Sequence, residues 1–323
     1  MGKKLNIACA DLGGTHCRSA VVAYDGNEAH LLEETYVRFR SEEEEDIQRV
    51  LREGIGQSIT VFRGKIDGIG IDVAAPVQEH ARIKKAGNVR CLHNRPNIDL
   101  ARETRNIFSV PAVISNDLEA PLAGEVEKGS LRGVAWAMLE NIGTGWGGAR
   151  LYNGVPVAGE PGHLYLPNNG APCTCGRNDC AEAKVSGHVI EQEVIRRCTA
   201  LDIQIPEGKH PCVFADEEAA KGTAWAAEYY LALAGIIGNM WGSNLNNCHL
   251  FTHIVYQGSF LESAMNIQSF RDEVRRSMLA RSMFQDEHEN VKIMEVQAPH
   301  LPNGEALGPL YGAASIWKQL QRV

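Results

Sequence analysis

Short β-branched runs alternate with charged, helically periodic segments along most of the chain. LNIACA (5–10), CRSAVVAY (17–24) and LLEETYVRF (31–39) have the composition of strands, and the tight segment DLGGTH joins the first two. EEEEDIQRVLREGIGQSITVF (42–62) then places Ile47, Val50, Leu51 and Ile55 at helical spacing, behind a serine cap and an acidic first turn. IDGIGIDVAA (66–75) predicts an apolar strand, and DLARETRNIF (99–108) a helix leading into the strand AVIS (112–115). Strands alternating with amphipathic helices predict an α/β protein.

The second half restarts in the same way. ADLGGTHCRSAVVAYDG (10–26) and ENIGTGWGGARLYNG (140–154) each set a Gly/Thr turn between two strands, and each second strand runs into Asp-Gly or Asn-Gly. Two domains that repeat one hairpin device are the expectation. The longest apolar stretch, Ala224 to Trp241, includes Glu228 and falls short of the ~20 residues that span a bilayer, so it predicts a buried helix and no membrane partner.

A length of 323 residues suggests two domains at about 150 residues each, and 44% hydrophobic with 22% charged residues is ordinary for a globular protein. The net charge of −8 lacks the clustered Lys and Arg that phosphate backbones need, which excludes a nucleic-acid partner. The apolar run at the N-terminus stops at Asp11, short of a signal peptide, and nine cysteines suit a reduced, cytoplasmic protein carrying one metal cluster.

Four stretches carry chemistry. In DLGGT (11–15), Gly13 and Gly14 free backbone N–H groups which, with the Thr15 hydroxyl, can hold phosphate oxygens, while Asp11 suits Mg²⁺; a plain hairpin turn is the alternative. Gly143-Thr144-Gly145 is a second such loop, and two of them can grip one triphosphate. Asn116-Asp117 follows the strand AVIS, either pointing a carboxylate into a ligand site at the strand's carboxyl end or capping the next helix. Last, Cys173, Cys175 and Cys180 follow CxCx4C, with His163 ten residues upstream. Three sulfurs and one nitrogen suit tetrahedral Zn²⁺, with bonds of about 2.3 and 2.0 Å. A site with four protein ligands has no open position for a reacting water, so the zinc is expected to be structural rather than catalytic. A redox pair would more typically be CxxC.

Taken in order, DLGGTxxR (11–18), Asn-Asp (116–117), GTG (143–145), GExGH (159–163) and CxCGxxxCxE (173–182) resemble the ROK family of repressors and sugar kinases, which includes zinc-containing glucokinases. The resemblance implies an actin/hexokinase-like (ribonuclease H-like) fold of two α/β domains with a cleft between them. It implies a small domain over 1–115, completed by the helix within 305–323, and a large domain over 116–304 with a zinc loop at 163–180. It further implies ATP-dependent phosphorylation of a hexose, most simply glucose, by a homodimer using ATP, Mg²⁺ and structural Zn²⁺. Asp117 would be the general base; Asn94, Asn116, Glu160, His163 and Glu182 would hold sugar hydroxyls. Asp11, Gly13, Gly14, Thr15, Arg18, Gly143, Thr144, Gly145 and Gly258 would bind the nucleotide, and His163, Cys173, Cys175 and Cys180 the zinc.

The chain departs from the family pattern at Ala75, at Asp179 before the third cysteine, at Gln257 before Gly258, and in lacking the usual Trp after Asn94. Kinases for N-acetylmannosamine, N-acetylglucosamine, mannose, allose or fructose share the pattern. A sugar-sensing repressor of the family would need a helix-turn-helix ahead of the phosphate loop, where ten residues precede Asp11. A zinc-knuckle binding module without catalysis is a third class, against which Asp117 and the acidic charge argue.

Overall fold

Apolar strand residues build two similar five-stranded sheets, and the apolar stripes of helices pack against them. The computed structural model describes residues 4–14, 16–40, 46–86 and 89–321, and groups the chain into two units: residues 1–134, 154–158 and 297–323, and residues 135–153 and 159–296. In chain order the elements are β1 (Leu5–Leu12), β2 (His16–Asp25), β3 (Glu28–Arg40), α1 (Ile47–Phe62), β4 (Gly68–Val73), β5 (Val77–Gln78), β6 (Arg82–Ile83), α2 (Arg90–His93), β7 (Ile98–Asp99), α3 (Leu100–Phe108), β8 (Ala112–Asn116) and α4 (Glu119–Lys128). There follow β9 (Trp136–Ile142), β10 (Trp146–Tyr152), β11 (Val155–Gly159), a 3-10 turn (Pro161–His163), α5 (Glu182–Val185), α6 (Gly187–Ala200), α7 (Pro211–Ala220) and α8 (Ala224–Leu245). The chain closes with β12 (His253–Gln257), α9 (Ser259–Ala264), α10 (Gln268–Arg281), α11 (Gln285–His288), β13 (Lys292–Glu295) and α12 (Gly308–Leu320).

The repeated hairpin of the sequence reappears as a repeated sheet order. One five-stranded sheet runs β3-β2-β1-β4-β8 and the other β11-β10-β9-β12-β13. In each, a leading antiparallel hairpin, β1–β2 or β9–β10, is extended by two parallel strands.

Alternate residues of β1 and β4 point to opposite faces of the first sheet. Ala8, Ala10, Leu12, Ile69, Ile71 and Val73 pack with Ile47, Val50, Leu51 and Ile55 of α1, the helical stripe expected there. On the other face Ile7, Cys9 and Val113 pack with Leu310, Ala313 and Trp317 of α12. Contact there is backbone on backbone: a Cβ on Gly70 would lie 2.4 Å from the Ala313 carbonyl oxygen, and one on Gly312 only 1.7 Å from that of Ala120. Only glycine permits this seating of α12 on β4 and α4.

One local expectation is corrected. The cap of α1 is Asp46, whose Oδ1 accepts the Gln48 N–H at 2.9 Å, because the helix begins at Ile47; its first turn is free of acidic residues. The expected serine cap and glutamate run, 41–45, lie outside the described residues. In the second unit the long apolar stretch forms α8, whose Tyr230, Leu233, Ile237 and Trp241 are buried in that unit's core. Among the described residues no helix is long and apolar enough to cross a membrane.

Candidate functional site

In the first unit, strand register lines up a row of polar side chains at one level of the sheet. Arg38 pairs with Arg18, Arg18 with Asp11, Asp11 with Asp72, and Asp72 with Ser115, so one residue from each of β3, β2, β1, β4 and β8 falls on the same face. Arg18 donates from Nε to Asp11 Oδ2 at 2.8 Å, and its Nη2 lies at the same distance from that oxygen. Burial pushes the Asp11 carboxyl up, while the Arg18 guanidinium opposes the shift. The two glycines of the phosphate-loop motif, Gly13 and Gly14, lie between β1 and β2; Thr15 is outside the described residues.

Asp72 was not foreseen as a site residue, although an acid set between Ile71 and Val73 inside an apolar strand is a signal that could have found it. It is 1% exposed. Burial first, then the charges of Asp11 and Asp117, push its carboxyl well above the usual range, against the pull of Arg18.

β8 ends in Asn116, and Asp117 follows it. Asn116 Oδ1 accepts the Leu118 N–H at 3.0 Å, closing a turn just ahead of α4, whose cap residue Leu118 offers no side-chain bond. Its Nδ2 donates to Asp117 Oδ1 at 2.8 Å and to the Ala75 carbonyl at 3.0 Å. The Asp117 N–H in turn donates to the Val73 carbonyl at 3.1 Å, which fixes the residue at the end of β4. Ala75, one of the departures from the family pattern, thus supplies its backbone oxygen to hold Asn116. Asn94 is exposed at the C-terminus of α2, outside the register row.

In the second unit, Gly143-Thr144-Gly145 forms the β9–β10 turn. The Gly143 N–H donates to the Gly145 carbonyl at 3.0 Å, and the Gly143 carbonyl accepts the Gly187 N–H at 2.6 Å, tying the turn to the start of α6. Gly258 joins β12 to α9 with φ at 101°, and a Cβ there would lie 2.5 Å from the Ile142 carbonyl oxygen. The glycine is required on both counts. The two segments meet beside a cavity of about 420 Å³ lined by Gly143, Thr144, Gly187, His188, Asp216 and Ser259 among others. Gln257 pairs with Asn141 at the end of β12 and leaves this cavity in place.

The stretch after β11 gathers the predicted metal ligands. His163 Nδ1, Cys173 Sγ, Cys175 Sγ and Cys180 Sγ all lie within 4.8 Å of one another. Cys173 Sγ is 3.6 Å from His163 Nδ1, and Cys175 Sγ is 3.6 Å from Cys180 Sγ. A tetrahedral zinc with bonds of about 2.3 Å to sulfur and 2.0 Å to nitrogen needs ligand separations of roughly 3.5–3.8 Å, so the donor set and its spacing fit the ion. Hydrogen bonding from Arg177 lowers the Cys175 thiol to about 6, favouring the thiolate that a metal needs. Asp179 takes φ at 65° and accepts the Gly170 N–H at 2.5 Å, so it closes the turn in place of the family's glycine.

Three of the expected sugar contacts collect beside this knuckle. His163 turns Nδ1 toward Cys173, which leaves Nε2 for another hydrogen bond. Glu182, the first residue of α5, accepts the Trp146 N–H at 2.8 Å through Oε2, while Oε1 faces Cys173 Sγ at 3.7 Å. Loss of water around Glu160 raises its carboxyl, opposed by His163 and reinforced by the charge of Glu182.

A family model described as the ROK family matches residues 7–320. A glucokinase of Halalkalibacterium halodurans is 33% identical over 134 residues, covering 38% of this chain and 39% of that protein. An N-acetylmannosamine kinase of Haemophilus influenzae is 24% identical over 187 residues, covering 56% and 59%. The matched stretch is thus less than two thirds of either relative's length. A crystal structure of a ROK hexokinase from Thermus thermophilus is similar at a TM-score of 0.76 and 20% identity, over 99% of this chain and all of that one.

Proposed function

Because the chain belongs to the ROK family and has its two-domain, actin/hexokinase-like α/β fold, we propose that it is an ATP-dependent hexose kinase whose substrate is glucose. The observation that carries this reading is the grouping of Glu160, His163 and Glu182 around a Cys3His knuckle. A neutral polyol has no charge to grip and must be oriented by several hydrogen bonds, which two carboxylates and an imidazole provide.

In this reading Asp117, held by Asn116 Nδ2, accepts the proton of the attacking sugar hydroxyl, while Asn94 and Asn116 join Glu160, His163 and Glu182 on the remaining hydroxyls. Gly13, Gly14, Thr15 and the turn 143–145 offer backbone N–H groups and hydroxyls to phosphate oxygens, and the cavity beside Gly258 takes the nucleoside. Asp11, oriented by Arg18, would hold Mg²⁺, which neutralises phosphate charge when bound. Zinc at His163, Cys173, Cys175 and Cys180 would order a loop rich in Gly, Pro and Asn that has little core of its own. A reduced, cytoplasmic setting suits such thiolates.

The N-acetylmannosamine kinase relative favours a second reading in which the hexose is N-acetylated. Coupled ADP-release assays with Mg-ATP across glucose, mannose, N-acetylmannosamine, N-acetylglucosamine, allose and fructose separate the two. We expect the highest kcat/KM on glucose. A higher value on N-acetylmannosamine replaces the substrate, and no ADP release on any of the six overturns the kinase.

A further inference from the structure

Asp72 stands apart from the other acids in the first unit because one of its buried carboxylate oxygens has no hydrogen bond to complete it. Its Oδ1 is buried and has no hydrogen-bond partner among the described residues. The register row places it beside Asp11 on the same face of the sheet, and Arg18 engages Asp11 Oδ2. The charges that act on Asp72 are those of Asp11, Asp117 and Glu119 against Arg18 alone, so carboxylates outnumber the guanidinium. Glu119 has His80 Nε2 at 3.9 Å from its Oε1, and Asp117 has the Asn116 amide; neither neutralises Asp72. A buried carboxylate oxygen without a partner is destabilising, and structures retain one where a cation or a proton completes it.

We propose that Asp72 is a direct ligand of a divalent cation shared with Asp11, so that adjacent parallel strands β1 and β4 form a two-carboxylate seat for an ion of the Mg²⁺ class. Two carboxylates with the remaining positions filled by water or phosphate oxygens match the preference of Mg²⁺, whereas Ca²⁺ takes six to eight oxygens. The seat deepens the kinase reading by adding a second protein ligand for the ion expected at Asp11. It also stands on the first unit alone and needs neither nucleotide nor sugar.

The test therefore uses Mn²⁺ alone. Electron paramagnetic resonance of free Mn²⁺ titrated into the purified, zinc-bearing protein is expected to show one saturable site per chain that Mg²⁺ displaces. Asp72→Asn and Asp11→Asn are each expected to weaken that site at least tenfold, while Glu193→Gln, on the surface of the other unit, leaves it unchanged. Thermal unfolding supplies a second readout: Mn²⁺ raises the melting temperature of the wild type and not that of Asp72→Asn, which without cation melts no lower than the wild type. No saturable site in the wild type overturns the proposal, as does an Asp72→Asn variant that binds Mn²⁺ with wild-type affinity. A kinase that fails on every hexose leaves these outcomes untouched, so the two readings fail separately.

Discussion

Glu182 Oε2 accepts the backbone N–H of Trp146 at 2.8 Å, immediately after the Gly143–Gly145 turn, while its other oxygen faces the Cys173 sulfur. One carboxylate therefore joins the cysteine knuckle to the turn that is proposed to hold phosphate. A hydrogen bond to a charged group contributes about 1.5–3 kcal/mol, and 1.4 kcal/mol is a factor of ten in affinity. Glu182→Ala is expected to raise the KM for nucleotide about tenfold or more, in addition to weakening the sugar. Glu182→Gln keeps a carbonyl oxygen for Trp146 and is expected to raise the nucleotide KM far less; equal effects of the two variants in steady-state kinetics would remove the link.

The knuckle itself predicts about one zinc per chain by elemental analysis. Cys175→Ser, which removes one of four ligands lying within 4.8 Å of each other, is expected to lose the metal and lower the melting temperature by several degrees. Cys248→Ser, outside the cluster, is expected to keep both. Zinc-free protein with the melting temperature of the wild type would refute a structural role.

Asp117 is held by the Asn116 amide and by the bond of its own N–H to Val73, so the carboxylate is positioned independently of any sugar. Asp117→Asn preserves shape and removes the proton acceptor. Turnover is expected to fall by ~10²–10⁴, with hexose affinity by calorimetry within a few fold of wild type. Turnover near the wild-type rate would assign the base elsewhere.

Stability in mild acid is expected to depend on His288. The imidazole is fully buried, with Nδ1 2.5 Å from Ser282 Oγ, and burial pulls it below its ordinary value of 6.5, with His249 adding to the shift and Glu287 opposing it. The folded chain keeps His288 neutral where the unfolded chain takes up a proton. Stability is therefore present above pH 6.5 and lost as pH falls below it, by at most about 1.4 kcal/mol per pH unit for one proton. Denaturant unfolding between pH 7 and 5 should show a flatter profile for His288→Gln than for the wild type.

Local patterns were legible wherever neighbours in sequence decide the outcome. The runs 5–10 and 17–24 became β1 and β2 because continuous apolar residues suit a sheet covered on both faces, and the Cys3His set was readable because its ligands fall within one short loop. The cap of α1 was misplaced for a related reason: a serine followed by acids looks like a helix start, yet the chain enters the helix only at Asp46. Nor could the hold on Asn116 be read from its neighbours, since the Ala75 carbonyl that accepts its Nδ2 lies 41 residues away along the chain.

By itself the sequence determined the alternation of elements, the hairpin repeat, the metal-ligand spacing and the family. That Asp72 stands beside Asp11 follows instead from how β1 and β4 pair. Parallel strands β1 and β4 meet through a long crossover that includes α1, and their register depends on which faces bury apolar side chains and on how closely α12 can approach Gly70. Such pairings are properties of packing between distant segments, and no local pattern records them.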